Sequence, residues 1–126
     1  MGSQDYYLTR SEFEIFESQG DKIADIFSKK SKSIDIIELG AGDGTKTKVL
    51  LKKFLERNLD VNYIPIDISG HVIDLLENHL KKEIPELKVE GIIGDYFKKL
   101  NELKKTSSRQ KVILFLGSNI GNFKYN

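Results

Sequence analysis

The sequence has no cysteine and two histidines, His71 and His79. Without cysteine there are no disulfides, thiol nucleophiles or cysteine-ligated metals, and two histidines are too few for a typical structural zinc site. Basic and acidic residues number 20 and 19, so the chain lacks the basic excess of a nucleic-acid-binding protein. No apolar run approaches the roughly 20 residues of a membrane helix, and no signal peptide begins the chain. We therefore expect a cytoplasmic protein that holds no metal and binds neither nucleic acid nor membrane.

The length of 126 residues and a hydrophobic fraction of 39% predict a single domain, residues 1–126, with one modest core. No repeat or low-complexity linker divides it. Residues 5–30 are expected to form an N-terminal helical segment, because apolar residues recur there near a period of 3.6. These residues are Phe13, Phe16, Ile23, Ile26 and Phe27.

Short apolar runs alternate with amphipathic helical patterns along the rest of the chain. The runs predict strands over residues 34–39, 61–66, 87–93 and 112–116. Such alternation favours an α/β fold, with a Rossmann-like parallel sheet flanked by helices. Doubly wound sheets normally continue beyond their switch point, so we expect a fold truncated after its fourth strand. Residues 112–116 would then form an unpaired edge, through which the protein could associate with itself.

A glycine-rich turn, ELGAGDG at residues 38–44, follows the first of these strands. Glycine permits a tight turn and close approach of a ligand, and the helix that follows offers unpaired N–H groups. A dinucleotide site requires G-x-G-x-x-G, but Thr45 stands where the third glycine would be. Glu38 suits a cationic ligand better than a pyrophosphate. The turn therefore favours S-adenosylmethionine over NAD(P).

Acidic residues also follow the next two predicted strands. Asp67 is expected to accept hydrogen bonds from ribose hydroxyls, and Asp95 from an adenine amino group, with Tyr96 beside the ring. Singly, Asp67 could be a helix N-terminal or turn residue, and Asp95 could belong to an ordinary Gly-Asp turn. Together with Glu38 they lie on the carboxyl edge of the sheet, where such folds bind ligands.

Five motifs occur in the order typical of one enzyme family. They are YYLTR at 6–10, IELGAGDGTKTKVLL at 37–51, YIPIDIS at 63–69, GDY at 94–96 and FLGSNIGNF at 115–123. In these the chain resembles the histidine Nα-methyltransferase family, which includes the ergothioneine-pathway enzyme and a fungal relative acting on dimethylallyltryptophan. The resemblance implies a class I methyltransferase fold. It also implies that S-adenosylmethionine donates a methyl group to the α-amine of a small amino-acid substrate, leaving S-adenosylhomocysteine.

The same resemblance implies roles for individual residues. The methionine part of the donor would be lined by Gly40, Gly42 and Lys46, with Glu38 and Ala41 completing that part of the site. Asp67 would hold the ribose, and Asp95 and Tyr96 the adenine. For the substrate, Asn122 would bind the amino group, Gly117 would make a backbone contact, and Tyr7 would contact the side chain, Tyr6 being the alternative. No catalytic base is expected, since an amide can position an amine but cannot deprotonate it.

Two other functions stay open from the residues alone. One is an NAD(P)-binding Rossmann domain of an oxidoreductase, and the other is a non-catalytic interaction module. The family has a stretch before the tyrosine pair and a long part after GNF that are absent here. We therefore expect the chain by itself to be inactive.

Overall fold

The computed structural model describes residues 6–9, 21–22, 24–29, 31–40, 45–104 and 109–115, with the backbone alone for 6–9, 45–46 and 115. Its strands are β1 (Tyr6–Thr9), β2 (Ser33–Leu39), β3 (Asp60–Asp67), β4 (Lys88–Val89), β5 (Ile92–Ile93) and β6 (Gln110–Phe115). Its helices are α1 (residues 21–22 and 24–29), α2 (Thr45–Glu56), α3 (Gly70–Glu83) and α4 (Tyr96–Leu103). Over these ranges, no helix has the length and apolar character needed to cross a lipid bilayer.

The described strands form one sheet in the order β1–β6–β2–β3–β4, with β5 also pairing with β3, and every pair is parallel. From β2 the chain moves outward to β3 and then to β4 and β5. It returns past β2 to place β6 on the opposite side. Strand order therefore reverses at β2, and in open α/β sheets the carboxyl end of that position forms a ligand-binding crevice. This confirms the predicted Rossmann-like arrangement.

Strand β2 is buried on both faces, which explains its nearly continuous apolar sequence. Ile34 and Ile36 pack into a cluster with residues of α1, α2 and α3, whereas Ile37 and Leu39 pack into a second cluster with α4. The alternation follows from the period of two along a strand. Helices therefore cover both faces of the sheet and hold the carboxyl end of β2 firmly in place.

The predicted strand over residues 87–93 is corrected to two short strands. Tyr63 pairs with Val89 in β4 and Ile66 pairs with Ile92 in β5, so the interruption lies beside Pro65. Proline has no N–H to donate to a ladder. At the interruption the Gly91 N–H donates instead to the Glu77 carboxylate of α3, at 2.9 Å.

Strand β1 contradicts two predictions, one about the N-terminal segment and one about a free edge of the sheet. The periodicity predicted a helix over residues 5–30; residues 21–22 and 24–29 are helical, but Tyr6–Thr9 form a strand. This strand pairs with β6 from Tyr6 opposite Val112 to Thr9 opposite Phe115, and β2 pairs with the other side of β6. The prediction of an unpaired edge over 112–115 is therefore wrong, and the argument for self-association through it no longer holds. Leu116 lies outside the described residues.

Candidate functional site

Five of the residues singled out in the sequence meet at the carboxyl edge of the sheet. Glu38 and Gly40 lie at the end of β2, and Asp67 ends the neighbouring β3, since Leu39 pairs with Ile66. Asp67 in turn pairs with Ile93, which places Asp95 and Tyr96 immediately beyond β5. The predicted association of strand-end acids with the start of the glycine turn is therefore present in three dimensions.

Gly40 begins the turn in a conformation that requires glycine. Its φ is +73°, in the left-handed region, and its N–H donates to the Ile66 carbonyl at 2.9 Å. A Cβ on this residue would lie 3.2 Å from the Tyr96 hydroxyl oxygen. The positive φ strains any side chain at this position, and a Cβ would also press against the hydroxyl of Tyr96, which lies beside Gly40.

Glu38, near the end of β2, is a buried carboxylate with 2% of its surface exposed. Its Oε1 accepts hydrogen bonds from the Tyr63 hydroxyl at 2.5 Å and from the Thr47 hydroxyl at 2.7 Å. Burying a carboxylate is costly unless donors satisfy it, and these two hydroxyls contribute to that compensation. The two hydroxyls, one from β3 and one from α2, help to orient the carboxylate.

Asp67 both ends β3 and organises the start of α3. Its Oδ1 accepts from the Ser69 N–H at 3.0 Å, and the Ser69 hydroxyl caps α3 by accepting from the Val72 N–H at 3.2 Å. The Asp67 carbonyl accepts from the Gly94 N–H at 3.0 Å. Asp67 is thus fixed at the edge by its own backbone and by one carboxylate oxygen.

Asp95 and Tyr96 begin α4 on the other side of Asp67. Asp95 is exposed and is the N-cap of α4, with Oδ1 accepting from the Lys98 N–H at 2.9 Å. Tyr96 is 9% exposed and packs with Ile37, Leu39 and other residues of the second cluster. Asp95 is therefore a helix cap, which the sequence did not predict, and the cap uses one of its two carboxylate oxygens.

The edge is suited to a polar ligand that carries positive charge and hydroxyl groups. Glu38 supplies a buried carboxylate at the end of β2, while Asp67 and Asp95 offer further carboxylate acceptors. Tyr96 supplies an aromatic surface beside Gly40. These features fit the sulfonium and ammonium groups, the ribose and the adenine of S-adenosylmethionine.

The structure gives backbone positions for two of the other predicted site residues. Lys46 lies in the first turn of α2, and Tyr7 lies in β1 opposite Ile113, both as backbone positions. Ala41, Gly42, Gly117 and Asn122 lie outside the described residues.

The sequence interpretation missed two residues that contact Glu38. They are Tyr63 and Thr47. A signal existed, because a glutamate inside an apolar strand needs buried donors and a tyrosine in an apolar strand needs a partner for its hydroxyl. The sequence alone could not pair them, since Glu38 and Tyr63 are on different strands.

The parallel sheet, its switch point and the acids around a glycine turn define a nucleotide-binding α/β domain. The family model described as "Histidine-specific methyltransferase, SAM-dependent" matches residues 1–126. The chain belongs to this family, whose methyl donor is S-adenosylmethionine.

Three relatives illustrate the similarity. The histidine N-alpha-methyltransferase of Mycobacterium tuberculosis is 28% identical over 94% of this chain and 35% of its own length. The ergothioneine biosynthesis protein 1 of Schizosaccharomyces pombe is 33% identical over 95% of this chain and 16% of its own length. The 4-dimethylallyltryptophan N-methyltransferase of Claviceps fusiformis is 28% identical over 94% of this chain and 34% of its own length. The chain thus spans about a third or less of these relatives.

Proposed function

We propose that this chain forms the donor-binding part of an S-adenosylmethionine-dependent N-methyltransferase that methylates the α-amine of an amino acid, with histidine as the acceptor. The observation that carries the proposal is the convergence of Gly40, Glu38 and Asp67 at the switch point of the sheet. Family membership supports the donor, and the names of two relatives support an amino-acid acceptor.

Each residue at the edge has a proposed part in holding the donor. Glu38 provides negative charge beneath the methionine part, which passes over the backbone of Gly40, Ala41 and Gly42 next to Lys46. The ribose hydroxyls donate to Asp67, whose Oδ2 is not used in its bond to Ser69. The adenine lies against Tyr96, with its amino group donating to Asp95.

Methyl transfer would depend on positioning. The bound donor supplies a methyl group on a sulfonium, and the acceptor amine must approach that methyl in line at about 3–3.5 Å. The amine also needs its lone pair, so it must lose a proton, which its pKa of about 8 permits near neutral pH. Asn122 would accept a hydrogen bond from the amine and orient the lone pair, with Tyr7 and Gly117 holding the rest of the amino acid.

The donor assignment is tested by titrating the chain with S-adenosylhomocysteine and, in parallel, with NAD, using calorimetry and thermal melts. We expect heat and a raised melting temperature with S-adenosylhomocysteine alone. Asp67→Ala should weaken binding at least tenfold, because the ribose loses a charged acceptor. Asp74→Ala, which removes an exposed aspartate of α3, is the matched control and should bind as the wild type does.

Other outcomes would replace the proposal. Binding of NAD alone would favour an oxidoreductase domain, and binding of neither nucleotide would favour an interaction module. The acceptor is tested separately in the presence of the donor, with histidine and tryptophan as competing substrates for the full-length protein. Preferential methylation of tryptophan would overturn the histidine assignment.

A further inference from the structure

Glu38 is held by side chains from two other elements, and this arrangement extends beyond donor contacts. Tyr63 comes from β3 and Thr47 from the first turn of α2, so a single carboxylate oxygen joins β2, β3 and α2. Residues 41–44 connect β2 to α2. The three hydrogen-bonded elements therefore fix both ends of the glycine-rich turn.

The three side chains are buried together. Tyr63 is 0% exposed, Thr47 1% and Glu38 2%. A carboxylate buried to this extent is oriented mainly by its protein donors, because burial limits the access of solvent that could replace a lost hydrogen bond. Removal of either hydroxyl would therefore leave Glu38 less well oriented while its charge remains buried.

We infer that Tyr63 and Thr47 are positioning residues of the donor site. Acting through Glu38, they set the affinity of that site for a cationic sulfonium nucleoside. This inference rests on the proposed function. Neither residue has to touch the donor. Tyr63 aligns the carboxylate from the sheet side, and Thr47 couples it to the helix that begins just after the turn.

The distinction from a purely structural role lies in the coupling to Glu38. If the hydroxyls serve the fold alone, their removal lowers the stability and leaves the affinity of the folded protein unchanged. If they act through Glu38, they lose their effect on affinity once the charge of Glu38 has been removed. A double-mutant cycle separates these cases.

The test measures the dissociation constants of S-adenosylmethionine and S-adenosylhomocysteine by calorimetry on the whole chain, for wild type and folded variants. We expect Tyr63→Phe and Thr47→Val each to weaken binding of both ligands about five- to tenfold, since each removes a hydrogen bond to a charged group. Glu38→Gln should weaken it about thirtyfold, and Tyr63→Phe combined with Glu38→Gln should be no worse than Glu38→Gln alone.

Two controls identify the cause. Thr47→Ser keeps the hydroxyl and should bind within twofold of wild type. Val61→Ala lies on the same strand and in the same core cluster as Tyr63, so it should lower the melting temperature without changing either dissociation constant. If Tyr63→Phe fails to fold, the Thr47→Val and Thr47→Ser pair and their cycles with Glu38→Gln carry the same test.

The outcomes are distinguishable from failure of the proposed function. If the wild type binds the ligands and both hydroxyl deletions bind equally well, or if their losses simply add to that of Glu38→Gln, the positioning role is overturned. If the wild type binds neither ligand, the proposed function itself is wrong, and this inference falls with it.

Discussion

The two edges of the sheet use acidic residues in opposite ways. At the amino edge, Arg109 pairs with Asp35 at 2.6 Å and with Asp60 at 3.0 Å, and Lys88 adds a second cation to Asp60 at 3.3 Å. Arg109 also donates to the Ile34 carbonyl at 3.1 Å. These bonds connect the starts of β2, β3, β4 and β6.

At the carboxyl edge, hydroxyls and backbone N–H groups donate to the acids. Glu38 accepts from two hydroxyls, while Asp67 and Asp95 accept from backbone N–H groups. Ion pairs balance charge at the amino edge, whereas hydroxyl and backbone N–H donors orient the carboxylates of the carboxyl edge. We propose that the amino edge serves stability and that the carboxyl edge serves binding.

The largest expected effect comes from breaking the amino edge with Arg109→Leu. Asp35 has a side-chain exposure of 8% and would remain buried after losing its cation. Loss of one partner of a buried pair typically costs about 3–5 kcal/mol. Because the Arg109 side chain is 22% exposed, we expect a somewhat smaller loss, about 2–3 kcal/mol, in the free energy of unfolding measured with urea.

The same variant should leave the carboxyl edge unaffected. Folded Arg109→Leu should bind S-adenosylhomocysteine within twofold of wild type, and Arg109→Lys should have intermediate stability because lysine keeps the charge but loses the planar fork. A tenfold loss of affinity in the folded protein would contradict the separation of the two edges.

Gly40→Ala makes the converse change at the carboxyl edge. The positive φ and the approach to Tyr96 should destabilise the fold by about 1–2 kcal/mol. Binding of S-adenosylhomocysteine should weaken more than tenfold, measured by calorimetry. Gly70→Ala is the matched control, since Gly70 starts α3 with no positive φ and its Cβ would approach the end of the flexible Ile93 side chain. Equal affinities of the two variants would refute the role of the Gly40 turn.

The smallest expected effect is a change in how the free energy of unfolding depends on pH, caused by the exposed Asp60 of the amino edge. Hydrogen bonds lower the pKa of Asp60 below its ordinary value of about 3.9, with the larger contribution from Arg109 and a smaller one from Lys88. A lowered folded-state pKa stabilises the protein above the unfolded pKa, and this stability is lost as the pH falls through the folded value. Asp60 is 45% exposed, so solvent screening should limit the contribution to less than about 1 kcal/mol.

This prediction is checked by urea denaturation between pH 6 and pH 3. The loss of unfolding free energy below about pH 4 should be smaller in Asp60→Asn than in wild type. An unchanged profile in the variant would show that Asp60 contributes nothing to the acid sensitivity.

The sequence was a good guide where structure is local. The apolar run of β2 and the amphipathic patterns of α2 and α3 depend on neighbouring residues, and all three elements are present. The strand β1 was missed because four residues carry almost no periodicity and their pairing partner lies about a hundred positions further along the chain. The interruption between β4 and β5 was missed because it accompanies Pro65 on a different strand.

The amino-acid order alone determined the kind of ligand, since the glycine turn, strand-end acids and family motifs are contiguous patterns whose chemistry is set by residue type and spacing. Tertiary structure decided which strand covers β6 and which hydroxyls hold Glu38. Those outcomes depend on contacts between residues far apart in the chain. Many pairings satisfy the same local preferences, and the packing of the whole domain selects among them.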